Sequence, residues 1–124
     1  MRRVTRSLLL AVPPALLAGA LFAAAPTALA ADEAEVKKEG KEIAFNRRKG
    51  NCLACHAIDD GESPGTIGPP LFSMQQRFKS QADLRAQIWD ATKRNPETTM
   101  PPFGRHGILS ESDLDKVAAY IWSL

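Results

Sequence analysis

Two cysteines and a histidine stand close together in the segment 52–56, which reads CLACH. Residues three and four positions apart share one face of a helical turn, so Cys52, Cys55 and His56 can hold one ligand together. This spacing is the attachment signal of c-type haem. Each thiol can add to a vinyl group of the porphyrin, while His56 ligates its iron. The segment therefore predicts one covalent haem c.

Three other uses of the cysteine pair are weighed against haem. A thioredoxin-like redox pair needs a strand followed by a helix, and no strand alternation surrounds Cys52 and Cys55. A zinc site needs a second pair of ligands, which the sequence does not offer. A simple disulfide would suit an oxidising compartment. The complete five-residue motif favours haem over all three.

A haem iron bound by one histidine has a sixth position, and its candidate ligands are Met74, Met100 and His106. Methionine is usually a gap-filling core residue, a role less natural in a loop that reads TTMPP. Pro101 and Pro102 follow Met100, and their fixed φ angles stiffen the chain around a weak thioether ligand. We therefore favour Met100 and expect His106 to be an exposed loop histidine.

The loop at residues 68–71, which reads GPPL, is a candidate support for His56. A metal-bound histidine usually donates its other ring N–H to a carbonyl or carboxylate oxygen, which fixes the orientation of the ring. The carbonyl of Pro69 is the expected acceptor, with an ordinary turn as the alternative. Trp89 is expected either to bond a haem propionate or to pack in the core, and Trp122 is a candidate interface anchor.

Hydrophobic periodicity predicts three helices, at residues 33–48, 80–93 and 110–124. The second begins at Ser80 and the third at Ser110, each with an acid three residues later in the pattern of a capping box. The basic run RRK at the end of the first helix suits either a docking patch or the negative end of the helix dipole, and the second role is favoured.

Two long loops separate these helices, at residues 59–70 and 95–107. Both are rich in proline and glycine, and both are longer than a plain connector in so small a domain. We expect loops of this kind to wrap around a bound group, and a large flat apolar cofactor would fit.

The N-terminal segment differs in composition from the rest of the chain. Residues 1–30 hold three arginines, no acid and a long apolar run that ends in ALA. This is typical of a secretory signal peptide, and we expect cleavage after Ala30. An uncleaved anchor is the alternative, which the three prolines of the run weaken. A cytochrome domain at residues 31–124 is then expected in the bacterial periplasm, with no membrane attachment after cleavage.

The net charge of residues 31–124 argues against a nucleic-acid partner. The whole chain has 124 residues and a formal charge of +2, and all three arginines of residues 1–30 contribute to that excess. Acids and bases nearly balance in residues 31–124. A near-neutral domain lacks the concentrated basic surface that nucleic-acid binding requires. We expect no nucleic-acid partner.

From residue 40 to residue 124 the chain resembles the class I cytochromes c and, among them, the SoxX family, the monohaem subunits of the SoxAX cytochromes of sulfur oxidation. The resemblance is carried by three segments that read GNCLACHAI (50–58), IGPPL (67–71) and MPPFGRHGIL (100–109). It implies an all-α class I cytochrome c fold, with three main helices and long loops wrapped around one covalently bound haem.

The resemblance also implies roles for individual residues. By position, Cys52 and Cys55 bind haem covalently, and His56 and Met100 are the two ligands of the iron. SoxAX couples thiosulfate oxidatively to a cysteine of the carrier SoxYZ, an L-cysteine S-thiosulfotransferase reaction. Both cysteines of this chain are then bonded to haem, and the two protein ligands leave no position on the iron for substrate. No residue here is therefore expected to be catalytic, and the chain is expected to accept electrons for the enzyme.

The implied partners are a SoxA-like cytochrome subunit in a heterodimer, a SoxYZ-like carrier and a downstream electron-acceptor cytochrome. Two other functions stay open. A free-standing periplasmic electron carrier needs the same haem and a small transient docking face. A haem sensor needs a labile or absent sixth ligand.

Overall fold

The computed structural model describes the backbone of residues 25–124 and the side chains of residues 30–124. The helices, in chain order, are α1 (Ala25–Phe45), α2 (Met74–Arg77), α3 (Gln81–Trp89) and α4 (Glu111–Trp122), with 3-10 turns at Cys52–Ala54 and Ala91–Lys93. In this described part, the extended backbone pairs only at an isolated bridge between Ile58 and Leu71. The predicted all-α class is confirmed.

The first helix begins earlier than the sequence predicted, at Ala25 instead of residue 33. The predicted cleavage point after Ala30 falls inside it. Residues 1–24, and with them most of the predicted signal peptide, lie outside the described residues. None of the described helices is long and apolar enough to cross a membrane.

The first helix also ends earlier than predicted, at Phe45. Asn46 builds the turn that follows: its Oδ1 accepts a hydrogen bond from the Arg48 N–H at 2.8 Å, and its carbonyl accepts one from the Asn51 N–H at 3.0 Å. An asparagine that satisfies nearby backbone donors competes with the helix. The basic run at 47–49 therefore lies in an exposed turn, not in the last turn of α1.

The second and third predicted helices begin at their predicted caps. The Ser80 Oγ accepts the Asp83 N–H at 3.1 Å, and the Ser110 Oγ accepts the Asp113 N–H at 3.1 Å. The second predicted helix ends early, because Asp90 leaves helical geometry with φ −153° and ψ 88°. The last turn of the predicted helix is instead the 3-10 turn Ala91–Lys93.

Removing one of these caps should measurably lower the stability of the domain. Ser110→Ala should lower the free energy of unfolding of the haem-loaded protein by about 1 kcal/mol, because it leaves a helix N-terminal N–H without its acceptor. Urea denaturation followed by circular dichroism measures this change. Ser112→Ala is the matched control, since Ser112 is exposed in the same first turn and caps nothing. Equal losses in the two variants would contradict the cap.

The core lies between α1 and α4, which pack across each other. On α4 the buried apolar side chains are Leu114, Val117, Ala118 and Ile121, which recur at helical spacing. On α1 the crossing point is Gly40, where an added Cβ would lie 2.0 Å from the Lys116 carbonyl oxygen. The missing side chain therefore sets how closely the two helices approach. Val36, one helical turn before Gly40, is 37% exposed.

Candidate haem site

The motif at residues 52–56 forms a tight turn that brings its first and last residues together. Asn51 enters it in the left-handed region, with φ 49° and ψ 35°, a conformation that asparagine tolerates better than most residues. The His56 N–H donates to the Cys52 carbonyl at 2.9 Å. The Gly50 N–H donates to the Ile43 carbonyl at 3.1 Å, which ties the turn to α1.

The two cysteines are free thiols, each partly buried. Burial raises the pKa of the Cys52 thiol to about 11. A catalytic or redox cysteine sits instead where its pKa is lowered, because the thiolate is the reactive form. The surroundings of Cys52 favour a neutral sulfur, which is what a thioether bond to a porphyrin contains. This argues against the thioredoxin-like use.

The imidazole of His56 is held from one side by the loop at residues 68–71. Its Nδ1–H donates to the Pro69 carbonyl at 2.6 Å. With the proton on Nδ1, the Nε2 lone pair is left for a metal. The structure thus places Pro69 in the contact that the sequence predicts.

The glycine before Pro69 lies flat against the same ring. A Cβ at Gly68 would lie 2.3 Å from the His56 Cε1 and 2.6 Å from its Nδ1. The Gly68 N–H donates to the Cys55 carbonyl at 2.9 Å, which fixes the loop on the turn. Only glycine leaves room for the imidazole here. The sequence does not reveal this role of Gly68, because the motif GPPL does not indicate which side of the loop the ring touches.

A second glycine brings the long loop at 59–70 against the haem-attachment turn. The Gly65 N–H donates to the Leu53 carbonyl at 2.8 Å. A Cβ at Gly65 would lie 1.9 Å from the Ala54 carbonyl oxygen. The loop therefore folds back on the turn that carries the two cysteines.

The three candidates for the sixth ligand occupy different environments. Met74 is 2% exposed in the core, and its Sδ accepts a hydrogen bond from the Arg77 Nη1 at 3.4 Å. His106 is exposed on the surface. Met100 is partly buried and packs at the edge of the core, and its N–H donates to the Thr98 Oγ1 at 3.2 Å. Of the three, only Met100 is a partly exposed side chain that packs against the apolar core.

A further set of apolar side chains is partly buried and packs against the core, and we call this set the rim. These partly buried residues are Phe45, Cys52, Leu53, Leu71, Phe78, Trp89, Met100, Trp122 and Leu124. All three segments that carry the predicted site residues contribute to the rim, through Cys52, Leu71 and Met100. A flat apolar group bound there would bury part of this surface and gain from the hydrophobic effect. The residues present therefore fit a covalent haem.

The two tryptophans occupy positions that the sequence left open. The Trp89 indole N–H donates to the Glu111 Oε1 at 3.1 Å, so its polar group joins α3 to α4. Trp122 lies in the apolar rim, and its carbonyl accepts the Gln75 Nε2–H at 3.2 Å. Both side chains pack within the domain.

Comparisons with known proteins bear on this arrangement. The family described as Cytochrome C oxidase, cbb3-type, subunit III matches residues 36–121. A protein described as an uncharacterized lipoprotein of Aquifex aeolicus (strain VF5) is 32% identical over 90 residues, or 69% of this chain. The chain spans only 44% of that relative's length.

A solved structure is also similar. It is a chain of the crystal structure of SoxXA from P. pantotrophus, with a TM-score of 0.63 and 31% sequence identity. The match covers 70% of this chain and 80% of that chain.

Proposed function

Because the chain belongs to the cytochrome c oxidase, cbb3-type, subunit III family of c-type cytochromes, we propose that it is a monohaem cytochrome and the SoxX-like, electron-accepting subunit of a SoxAX-type complex. Cys52 and Cys55 would hold one haem c covalently, and His56 and Met100 would be its iron ligands. The bound haem supplies one-electron Fe(III)/Fe(II) chemistry. The proposed place of the mature protein, residues 31–124, is the periplasm.

The similarity to a chain of SoxXA carries this proposal. It extends over 80% of that chain at 31% identity, which is far more than a shared haem motif would give. The contacts of His56 support the haem part of the proposal. Pro69 and Gly68 orient the ring, and Nε2 keeps its lone pair for the metal.

The chemistry of the chain itself limits its part in the reaction. Joining thiosulfate to a carrier thiol forms one S–S bond and releases two electrons and one proton. This sequence has two cysteines, Cys52 and Cys55, and both would be consumed as haem thioethers. The new S–S bond is therefore assigned to the SoxA-like partner acting on a SoxYZ-like carrier. This chain would accept the electrons one at a time and pass them to a downstream cytochrome.

Substitution of the sixth ligand tests the haem assignment. Met100→Ala should abolish the near-infrared sulfur-to-iron band of the ferric protein, because Met74, the other methionine of the described residues, is buried in the core. Met74→Ala should keep the band, since Met74 is a core residue, although it should cost about 2–5 kcal/mol of stability. Carbon monoxide should bind the reduced Met100→Ala protein readily and the wild type poorly. A band that survives Met100→Ala would refute this ligand.

The partner is tested in cells grown on thiosulfate. The tagged protein is recovered by affinity, and every co-purifying band is stained for haem. A second cytochrome in a stable 1:1 complex is the expected result. A lone haem band would contradict the SoxAX assignment.

A free-standing electron carrier is the second candidate. It is favoured by the family match, since that family takes its description from an oxidase subunit and not from a sulfur enzyme. The lone haem band described above would support it. Mass spectrometry of the exported product tests the proposed export, because cleavage after Ala30 leaves a protein that begins at Ala31.

A further inference from the structure

One buried carboxylate joins the two ends of the loop that carries Met100. Asp90 lies directly after α3 and is 3% exposed. Its Oδ1 accepts hydrogen bonds from the Thr92 N–H at 3.2 Å and the Thr92 Oγ1–H at 2.6 Å. Its Oδ2 lies 3.2 Å from the Arg105 Nη1, which also donates to the Thr92 Oγ1 at 3.3 Å. We call Asp90, Thr92 and Arg105 the clasp.

Backbone contacts reinforce the clasp at both ends of the loop. The Trp89 carbonyl accepts the N–H groups of Gly104 and Arg105 at 3.1 and 3.2 Å. A Cβ at Gly104 would lie 1.9 Å from the Trp89 Cδ1, so the end of the loop lies directly on the indole. The Asn95 N–H donates to the Ala91 carbonyl at 3.1 Å, which closes the beginning of the loop.

The hydrogen bond that holds Met100 itself is local to its loop. Its backbone N–H bonds the Thr98 hydroxyl within the same loop, and its side chain is partly exposed. A thioether is a weak ligand that cannot hold a loop which is free to swing away. The position of Met100 therefore depends on where the ends of the loop are fixed.

The ionisation of Asp90 supports its role in fixing the ends of the loop. Hydrogen bonds from Thr92, and then the charge of Arg105, hold the pKa of the Asp90 carboxyl below its usual range, so the group is ionised at neutral pH. Removing Arg105 is costly, because it leaves the buried Asp90 charge without its counter-ion. Loss of this ion pair should destabilise the segment 91–105 locally and leave the packing of α1 against α4 unchanged.

We propose that the clasp keeps Met100 in place as the sixth ligand of the iron, which makes Asp90 a positioning residue for that ligand. The inference rests on the proposed function, because it requires iron ligation by Met100. Loss of the clasp would make local opening of the loop easier while the helical core stays folded.

Imidazole binding to the haem-loaded ferric protein measures this opening, because imidazole takes the iron position only after Met100 leaves it. The titration follows loss of the near-infrared sulfur-to-iron band. Asp90→Asn should bind imidazole about tenfold more tightly than wild type, since it removes the buried charge but keeps the shape of the side chain. Arg105→Gln should change the affinity in the same direction, and its side chain is 46% exposed, so it tests the clasp even where Asp90→Asn fails to load haem.

Asp115→Asn is the matched control. It removes a carboxylate that pairs with Arg85 on the exposed surface of α4, and it should leave the imidazole affinity within about twofold of wild type. The same affinity in wild type, Asp90→Asn and Arg105→Gln overturns the clasp, even if the two variants melt at a lower temperature. A wild type without the near-infrared band, or a Met100→Ala variant that keeps it, overturns the ligand assignment and the role of the clasp with it.

Discussion

Gly68→Ala should displace the His56 imidazole and convert the ferric haem from a low-spin to a largely high-spin form. The new Cβ would lie 2.3 Å from the ring. The backbone cannot give way easily, because the Gly68 N–H is bonded to the Cys55 carbonyl. The ring must therefore tilt and lose its 2.6 Å hydrogen bond to Pro69. Outer-shell losses of this kind typically cost about 10–100-fold in metal affinity.

Absorption and electron paramagnetic resonance spectra of the purified protein measure the spin state. Gly107→Ala is the matched control, because it makes the same chemical change where nothing lies within 4 Å of the new Cβ. Its φ of +63° makes alanine cost about 1 kcal/mol there, but the haem spectrum should not change. A Gly68→Ala protein with the wild-type spectrum would show that the ring is not held by this loop.

Gly40→Ala should destabilise the domain by about 3 kcal/mol, despite alanine's better helix propensity. Its Cβ would lie 2.0 Å from the Lys116 carbonyl oxygen and 2.6 Å from the carbonyl carbon, which are backbone atoms of α4. Neither atom can rotate away, so the helices must move apart and the core between them must loosen. Overpacking of this kind costs about 1–3 kcal/mol or more, against a propensity gain of about 1 kcal/mol.

Urea denaturation of the haem-loaded protein measures this loss, and the melting temperature should fall by about 10 °C or more. Glu42→Ala, at an exposed position on the same helix, should stay within about 0.5 kcal/mol of wild type. If Gly40→Ala is as stable as Glu42→Ala, the close crossing of α1 and α4 is wrong.

Much of the fold was predictable, because its signals are local. The serine caps at Ser80 and Ser110 follow from an acid three residues later, and the structure has both. The predicted class I cytochrome c fold and the SoxX-like resemblance are confirmed by the family match and by the similarity to SoxXA. The predicted end of α1 was wrong, because the turn at Asn46 competes with the helix. The predicted start was wrong as well, since the helix begins at Ala25.

The rest of the site depends on contacts between distant parts of the chain. α2 has four residues, fewer than any helical period can reveal. The contact of Gly68 with His56 and the pairing of Asp90 with Arg105 join residues that no local pattern connects. Their residue types, a glycine beside a proline and an acid after a helix, are those of ordinary turns. The haem ligands, the export signal and the periplasmic location stay predictions.

The shielding of Cys52 has a consequence for the order of maturation. Its sulfur packs against the core that α1 and α4 build, and that core forms only when two segments far apart in sequence meet. Contacts of such long range form late. Before they form, the thiol is open to solvent and has ordinary acidity. Afterwards it is enclosed and protonated, with a pKa of about 11. Covalent attachment of a porphyrin to Cys52 would therefore have to take place while the polypeptide is still open, and a chain that folded first would stay colourless.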